Sequence, residues 1–249
     1  MTSPARTEQP TFLRRQPSLL RRDLSVDSYE NLSPQYMEKV DGNVYNFLPS
    51  ISASIGGFTP QRYIWRVAVA FHTTPRFLFA FMYYNWHRQD TQNWNKNSKY
   101  KTLCQANLGV NLAELCCLLG LTYVSSEEDY KIHEKCFIFF VVFAFIYMVT
   151  TCCLCHMRKT PMIQRSRRLK HYAFIAFVLS ICGFSYFFVR HNLYCEPYVY
   201  SMFAFCEYIS VVSNIGFHAT VAVDFRDTNI VISSLDNEPV NTQNGYLLR

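Results

Sequence analysis

The sequence predicts an all-α protein, a polytopic transmembrane helix bundle with five predicted spans and a disordered N-terminal tail. Hydrophobic residues make up 50% of the 249 residues and charged residues only 17%, below the roughly 25% usual in soluble domains. A helix needs about 20 apolar residues to cross a hydrocarbon core of about 30 Å, and inside lipid it satisfies its own backbone hydrogen bonds. Apolar runs of about this length lie at about 64–86, 103–124, 132–155, 172–189 and 198–223.

Residues 1–45 are predicted to form a disordered polar and basic tail. Apolar residues are too sparse there to offset the entropy lost on ordering the chain, and the start lacks the apolar core of a signal peptide. Five spans place this tail on the opposite side of the membrane from the C-terminus, which makes Asn31, in an Asn-Leu-Ser sequon, a glycosylation candidate. Residues 46–57 follow as a small apolar segment that ends in two glycines and suits a membrane surface.

The charges of the loops set the predicted orientation of the transmembrane domain, residues 46–226. The loop 156–171 carries six Lys or Arg and no acidic residue, and short basic loops stay in the cytosol. The acidic loop 125–131 and the nearly neutral loop 190–197 are therefore predicted to be exoplasmic, and the tail 227–249 cytosolic. The net charge of +6 is then explained by loops that face an anionic leaflet, so no nucleic-acid partner is predicted.

Three of the ten cysteines cluster at the predicted cytosolic end of the third span. Juxtamembrane cysteines are typical palmitoylation sites, which makes Cys152, Cys153 and Cys155 candidates. The alternative is that they pack as small hydrophobic residues. No second pair of ligands stands at zinc-finger spacing, so the sequence predicts neither a metal site nor a cofactor.

Polar residues within the apolar runs predict an intramembrane polar pocket shared by the first, second and fifth spans. A charged side chain costs about 2.5–3.5 kcal/mol at membrane depth, so it faces the protein interior or a wet cavity. Residues three, four or seven positions apart share a helix face. The alternative is that these side chains only hold the helices together. The candidates are Arg76, Asn111, Glu114, Glu207, Asn214 and His218.

The two exoplasmic loops predict a second site, suited to a charged lipid headgroup. Histidine beside a carboxylate can perform acid–base chemistry, and arginine with histidine can hold a phosphate. The alternative is a solvated surface held by salt bridges, because no hydrolase or metalloprotease motif is present and the catalytic residues are unknown. The candidates are Asp129, His133, Glu134, Arg190, His191, Asn192 and Glu196.

These loops also carry a family pattern. Residues 121–134 read LTYVSSEEDYKIHE and residues 190–196 read RHNLYCE, and Phe217-His218 and Asp224-Phe225 follow. Upstream, LPSI at 48–51, PQRYIWR at 60–66 and PRF at 75–77 complete the pattern. Together they resemble the Frag/DRAM/Sfk family of membrane proteins over about residues 45–226. The family pattern begins with one further transmembrane helix, where this sequence has its polar tail.

The resemblance implies a multi-pass protein of the Golgi or endoplasmic reticulum. It implies a role in the fatty-acid remodelling of GPI anchors, at the step that returns a saturated chain to the lyso form. The implied partners are membrane lipids, GPI-anchored proteins that carry lyso-GPI, and other remodelling factors. We expect an accessory rather than a catalytic role. The alternatives are a membrane scaffold that recruits lipid-kinase or autophagy machinery through the loop 156–171, and a transporter or channel.

Overall fold

The computed structural model describes residues 46–158, 164–194, 196–226, 229–231 and 245–247. Helices account for nearly all of this part of the chain, which confirms the all-α prediction. They are α1 Ile51–Gly56, α2 Gln61–Arg88, α3 Thr91–Lys96, α4 Ser98–Tyr123, α5 Tyr130–Met157, α6 Gln164–Tyr194, α7 Val199–Ala219 and α8 Val221–Asp224. Two three-residue strands, β1 Asn229–Val231 and β2 Gly245–Leu247, pair in parallel.

The predicted spans fall in α2, α4, α5, α6 and α7. Three of these helices, α4, α5 and α6, are long and apolar enough to cross a membrane. The outer surface is strongly apolar, with Phe71 79% exposed and Val212 67% exposed, as expected of a protein that lipid surrounds. The chain is therefore a membrane protein. The count of five spans stays a prediction, because α2 and α7 are not among the helices that meet this criterion.

Side-chain caps define where several helices begin. The Ser50 hydroxyl accepts the backbone N–H of residue 53 at the start of α1. Asn97 does the same for Tyr100 at the start of α4, and Asp129 caps α5. Such caps satisfy backbone donors that have no partner inside the helix. α2 continues through Pro75 without a break.

The helices pack as antiparallel neighbours. α6 lies along α7, α4 lies along α5, and α2 packs against α4. A central apolar cluster joins α5, α6 and α7 and consists of Ala144, Tyr147, Met148, Phe177 and Phe217. At one end of the bundle, which we call the rim end, lie residues 46–60, the loop 124–129 and the turn into α7. The opposite or basic end holds α3, α8 and the ends of α5 and α6 that flank residues 159–163.

The two predicted exoplasmic loops lie at the same end of the bundle. Residues 46–56, which we call the rim segment, contact His133 just after one loop and Tyr200 just after the other. Which end faces the cytosol stays a prediction, as do the domain boundaries at 45/46 and 226/227. The tail 1–45, with its glycosylation candidate Asn31, lies outside the described residues.

Candidate functional site

A buried ionic cluster joins α2, α4 and α7. The Glu114 Oε1 atom accepts a hydrogen bond from Arg76 Nη2 at 2.6 Å and from Asn214 Nδ2 at 2.9 Å. The His218 Nε2 atom lies 3.1 Å from the same oxygen, and the Tyr147 ring stacks on the His218 ring with centroids 4.8 Å apart. Arg76, Glu114, Asn214 and His218 thus meet on one carboxylate; we call them the Glu114 cluster.

The Glu114 cluster places a carboxylate and a guanidinium where neither reaches bulk water. Glu114 is 0% exposed and Arg76 is 4% exposed. A charge without a partner at such a place is costly, and pairing offsets the loss of hydration. Glu114 Oε2 and Arg76 Nη1 have no hydrogen-bond partner among the described residues. These two atoms can therefore still form hydrogen bonds.

The other two residues predicted for the intramembrane pocket lie elsewhere. Asn111 lines a small void beside Asn107, one turn away on α4. Glu207 is buried nearer the rim end, where its carboxylate accepts the backbone N–H of Ile51 at 3.1 Å. Four of the six candidates are therefore brought together, and two are not.

An apolar cavity runs through the bundle from the rim end to the neighbourhood of the Glu114 cluster. Its empty volume is about 710 Å³, part of which is continuous with the outside. Ser52 and His133 line it at the rim end, and Asn214 lines its inner part; the other polar residues on its wall are His72, Thr122, Glu207 and Ser210. Most of the wall is apolar and comes from Ile55, Trp65, Val69, Leu118, Leu121, Phe137, Phe140, Val211 and Ile215. The cavity therefore suits a largely apolar ligand whose polar groups meet these polar side chains.

His133 stands at the rim end of this cavity with both ring nitrogens engaged. Its Nδ1 atom lies 2.7 Å from the carbonyl oxygen of Val124, and its Nε2 atom lies 2.9 Å from the Ser52 hydroxyl oxygen. A carbonyl only accepts, so Nδ1 carries the proton, and in the neutral ring Nε2 is the acceptor for the Ser52 hydroxyl. Sequence reasoning singled out His133 but missed Ser52, which is 81 residues away in the chain.

The rim segment closes this end of the bundle and is itself held by α7. The backbone N–H groups of Phe47 and Leu48 donate to the Ser201 hydroxyl at 2.8 and 3.2 Å. The Tyr200 hydroxyl donates to Ser50 at 3.1 Å. These bonds, together with the one from Ile51 to Glu207, fix α1 and therefore the position of Ser52. The apolar segment that the sequence placed at a membrane surface thus packs on the helix bundle.

The structure does not gather the seven predicted headgroup residues into one site. Asp129 caps α5, and Glu134 is exposed although its neighbour His133 is buried. Arg190 binds both carboxylate oxygens of Glu196, at 2.7 and 3.0 Å, within the same turn. His191 and Asn192 are half-buried beside that turn, with the His191 ring 5.4 Å from the ring of Tyr200. Of the seven, His133 is the one that lines the cavity.

A second charged group stands beside the loop 124–129. Arg66 Nη2 lies 3.1 Å from Glu128 Oε2, and Arg62 Nη1 lies 3.7 Å from Glu128 Oε1. The backbone N–H of Ser125 donates to this carboxylate at 2.9 Å. The Ser125 hydrogen bond, followed by the two arginines, holds the pKa of Glu128 below its ordinary value.

At the basic end, the structure reveals a buried lysine that sequence reasoning treated only as a topology charge. Lys170 forms an ion pair with Asp224 and donates to Thr220 at 2.6 Å and to Ser166 at 3.0 Å. Asp224, the acidic residue directly after the last apolar run, is the sequence feature that could have indicated such a pair. This pair ties α8 to the start of α6.

The three palmitoylation candidates differ in accessibility. Cys153 is exposed, Cys152 is half-buried and Cys155 is buried. An enzyme that acylates a thiol must reach it, so Cys153 is the accessible candidate and Cys155 is not. Within the described part of the chain, no group of three or more His, Cys, Asp or Glu side chains is arranged to hold a metal ion.

Comparison with known proteins agrees with the sequence pattern. Residues 30–228 match the family described as the Frag1/DRAM/Sfk1/Cwh43P N-terminal domain. The chain is 38% identical to Acyltransferase PGAP2 of Xenopus tropicalis, over 77% of each protein. It is 38% identical to Post-GPI attachment to proteins factor 2 of Caenorhabditis elegans, over 77% of this chain and 74% of that protein.

A more distant relative is Protein cwh43 of Schizosaccharomyces pombe, 24% identical over 78% of this chain but only 19% of that protein. No solved structure matches the chain. The family match covers most of the chain, including the strings at 121–134 and 190–196 that carry the resemblance. The chain belongs to the Frag1/DRAM/Sfk1/Cwh43P N-terminal domain family.

Proposed function

We propose that this protein acts in the fatty-acid remodelling of GPI anchors in the Golgi or endoplasmic reticulum membrane. Its clients are GPI-anchored proteins whose anchor carries a lyso lipid. Two relatives with 38% identity bear names that refer to GPI attachment or to acyl transfer, which supports this class of function. The observation that carries the proposal is the apolar cavity that leads from His133 and Ser52 into the bundle.

The cavity has the chemistry of a lipid-chain site. Most of its wall is apolar, and ligand sites are typically lined by apolar side chains with a few polar groups that fix the orientation of the ligand. Each methylene group transferred from water to an apolar wall contributes about 0.8 kcal/mol, although a chain that comes from the bilayer gains less. Recognition of the chain therefore depends on the shape of the wall, and recognition of the polar end depends on groups at the rim.

The rim end supplies polar groups at the level where a lipid headgroup meets the cavity. Ser52 and His133 lie on the cavity wall, and Arg62, Arg66 and Glu128 lie next to the same loop. The predicted orientation puts this end on the exoplasmic side, where GPI anchors reside. A lyso lipid whose headgroup lies at this end would present its free hydroxyl to His133, next to an acyl chain held in the cavity.

The direct test is lipid mass spectrometry of GPI anchors from cells that lack this protein. We expect lyso or unsaturated anchors to accumulate, and re-expression of the wild-type chain to restore saturated diacyl anchors. A normal anchor profile in the deficient cells would overturn the proposal.

A cavity-filling variant tests whether the cavity holds the chain. Val211 lines the cavity, whereas its neighbour Val212 is 67% exposed on the outer face of α7. We expect Val211→Trp to block anchor remodelling by at least tenfold at normal expression, because the indole occupies the space of the acyl chain. Val212→Trp, the matched control, should restore remodelling fully. Equal rescue by both variants would remove the cavity from the mechanism.

A further inference from the structure

The hydrogen-bond chain from Val124 through His133 to Ser52 has the arrangement of an activated nucleophile. A histidine that accepts from a serine hydroxyl through one nitrogen and is oriented through the other is poised to take the hydroxyl proton. Here the orienting group is the Val124 carbonyl, 2.7 Å from Nδ1, and the nucleophile oxygen is 2.9 Å from Nε2. Both distances lie within the range of a competent hydrogen bond.

The position of this pair favours chemistry over packing. Ser52 and His133 both line the apolar cavity, and His133 is 8% exposed. His133 is buried and Ser52 is half-buried, so the apolar wall limits the access of bulk water, which would otherwise hydrolyse a reactive ester. The other hydroxyl of the same short helix does not share this geometry, because the Ser54 hydroxyl donates to the Ser50 carbonyl at 2.9 Å.

We infer that Ser52 is the nucleophile and His133 the general base of an acyl transfer through an acyl-serine intermediate. This inference rests on the proposed function and adds to it a catalytic role that the sequence did not predict. The acyl donor is an acyl ester or thioester whose chain lies in the cavity, and the acceptor is the free hydroxyl of the lyso lipid.

In the first half-reaction, His133 Nε2 takes the Ser52 proton as the serine oxygen bonds to the carbonyl carbon of the donor. The bond from that carbon to the donor's oxygen or sulfur breaks, and His133 gives the proton to the leaving group. In the second half-reaction, His133 takes the proton of the lyso-lipid hydroxyl as its oxygen attacks the acyl-serine. The bond to Ser52 breaks, His133 returns the proton to Ser52, and no oxidant or reductant is consumed.

The adduct itself is the test. The purified full-length protein in lipid nanodiscs is incubated with a phospholipid that carries an alkyne-tagged acyl chain or, in a separate arm, with an alkyne-tagged acyl thioester. We expect mass spectrometry to find the tagged acyl group on Ser52, and the arm that labels identifies the donor class. Ser52→Ala and His133→Ala should reduce labelling at least tenfold, whereas Ser54→Ala, a serine of the same helix, should label like wild type.

A second variant distinguishes loss of the nucleophile from loss of folding. Ser52→Cys keeps a nucleophile of similar size, and its adduct should be a thioester that neutral hydroxylamine cleaves, whereas the wild-type ester resists it. Absence of label on Ser52 in both arms, with monodisperse wild-type protein, would overturn the inference.

Failure of the inference is distinguishable from failure of the proposed function. If Ser52→Ala restores saturated anchors in deficient cells as well as wild type does, the acyl-serine step is excluded while the remodelling function stands. If the wild-type chain itself leaves the anchors unchanged, the proposed function fails.

Discussion

The Glu114 cluster and the His133–Ser52 pair each contain a histidine inside the bundle, half-buried at His218 and buried at His133, and the partners of the two histidines differ. In the cluster, His218 faces a carboxylate and a guanidinium from two other long helices. At the rim, His133 faces a backbone carbonyl and a hydroxyl on the six-residue helix α1. One histidine is therefore held by charges within the bundle, and the other by neutral groups on shorter elements.

This difference indicates different roles. Breaking a buried ion pair leaves an unpaired charge and costs about 3–5 kcal/mol, so the Glu114 cluster fixes how α2, α4 and α7 pack. A neutral hydrogen bond contributes only about 0.5–1.5 kcal/mol, so a substrate hydroxyl can replace Ser52 as the partner of His133 at small cost. The Glu114 cluster therefore suits a structural role, and the His133–Ser52 pair suits a catalytic role.

The largest effect is expected at the cluster. Glu114→Ala leaves Arg76 buried without its carboxylate and should lower the free energy of unfolding by about 3–5 kcal/mol. Thermal unfolding of the detergent-solubilised protein, followed by size-exclusion chromatography, measures this loss. The control is Glu134→Ala, an exposed carboxylate on α5, which should unfold at the wild-type temperature. Equal stability of the two variants would show that the cluster does not hold the bundle.

The rim pair should show the opposite pattern. His133→Ala should lower acyl transfer by about 100-fold or more, the contribution typical of a general base, and should lower the free energy of unfolding by about 1–3 kcal/mol, the contribution of two neutral hydrogen bonds. Anchor lipid analysis in deficient cells and thermal unfolding measure the two quantities on the same variant.

The matched control for that variant is His156→Ala, an exposed histidine at the basic end, which should change neither quantity. If His133→Ala and Glu114→Ala lower the free energy of unfolding equally, His133 has a structural role and the contrast between the two sites is lost.

The smallest effect is expected at Glu128, next to the rim. Its pKa is lowered in the folded protein from the ordinary value of 4.5, so its carboxylate stabilises the folded state above about that pH. This stabilisation is lost as the pH falls through the lowered pKa. Wild type should therefore lose thermal stability between pH 5 and more acidic conditions, and Glu128→Gln should lose less. The same acid sensitivity in both proteins would contradict the assignment.

The intramembrane residues show how far spacing along a helix predicts a site. Asn214 and His218 are four positions apart, and both reach Glu114, as a shared helix face predicts. Glu207 lies on the same face of α7, but seven residues place it about 10.5 Å further along the axis. It therefore meets the rim segment instead of the cluster. Periodicity predicts which residues share a helix face. The partners that each residue meets depend on how far along the axis it lies relative to the neighbouring helices.

The rim was less predictable. His133 and Glu134 are adjacent in sequence, but successive helical residues point about 100° apart, so one faces the cavity and the other faces outward. Arg190 was expected to meet a headgroup, yet it finds a carboxylate within its own turn. Ser52 carried no signal, because its partner lies in a helix that is remote in the chain.

The membrane setting, the helical class, the family and the residues that are costly to bury could all be predicted from the amino-acid sequence. These follow from composition, local period and short strings, which do not depend on distant parts of the chain. Helix packing was needed to show that Arg76, Asn214 and His218 meet on the Glu114 carboxylate. It was also needed to show that Ser52 meets His133 beside an apolar cavity. The physical reason is that such contacts depend on the axial alignment of helices distant in sequence, which packing of the whole bundle sets.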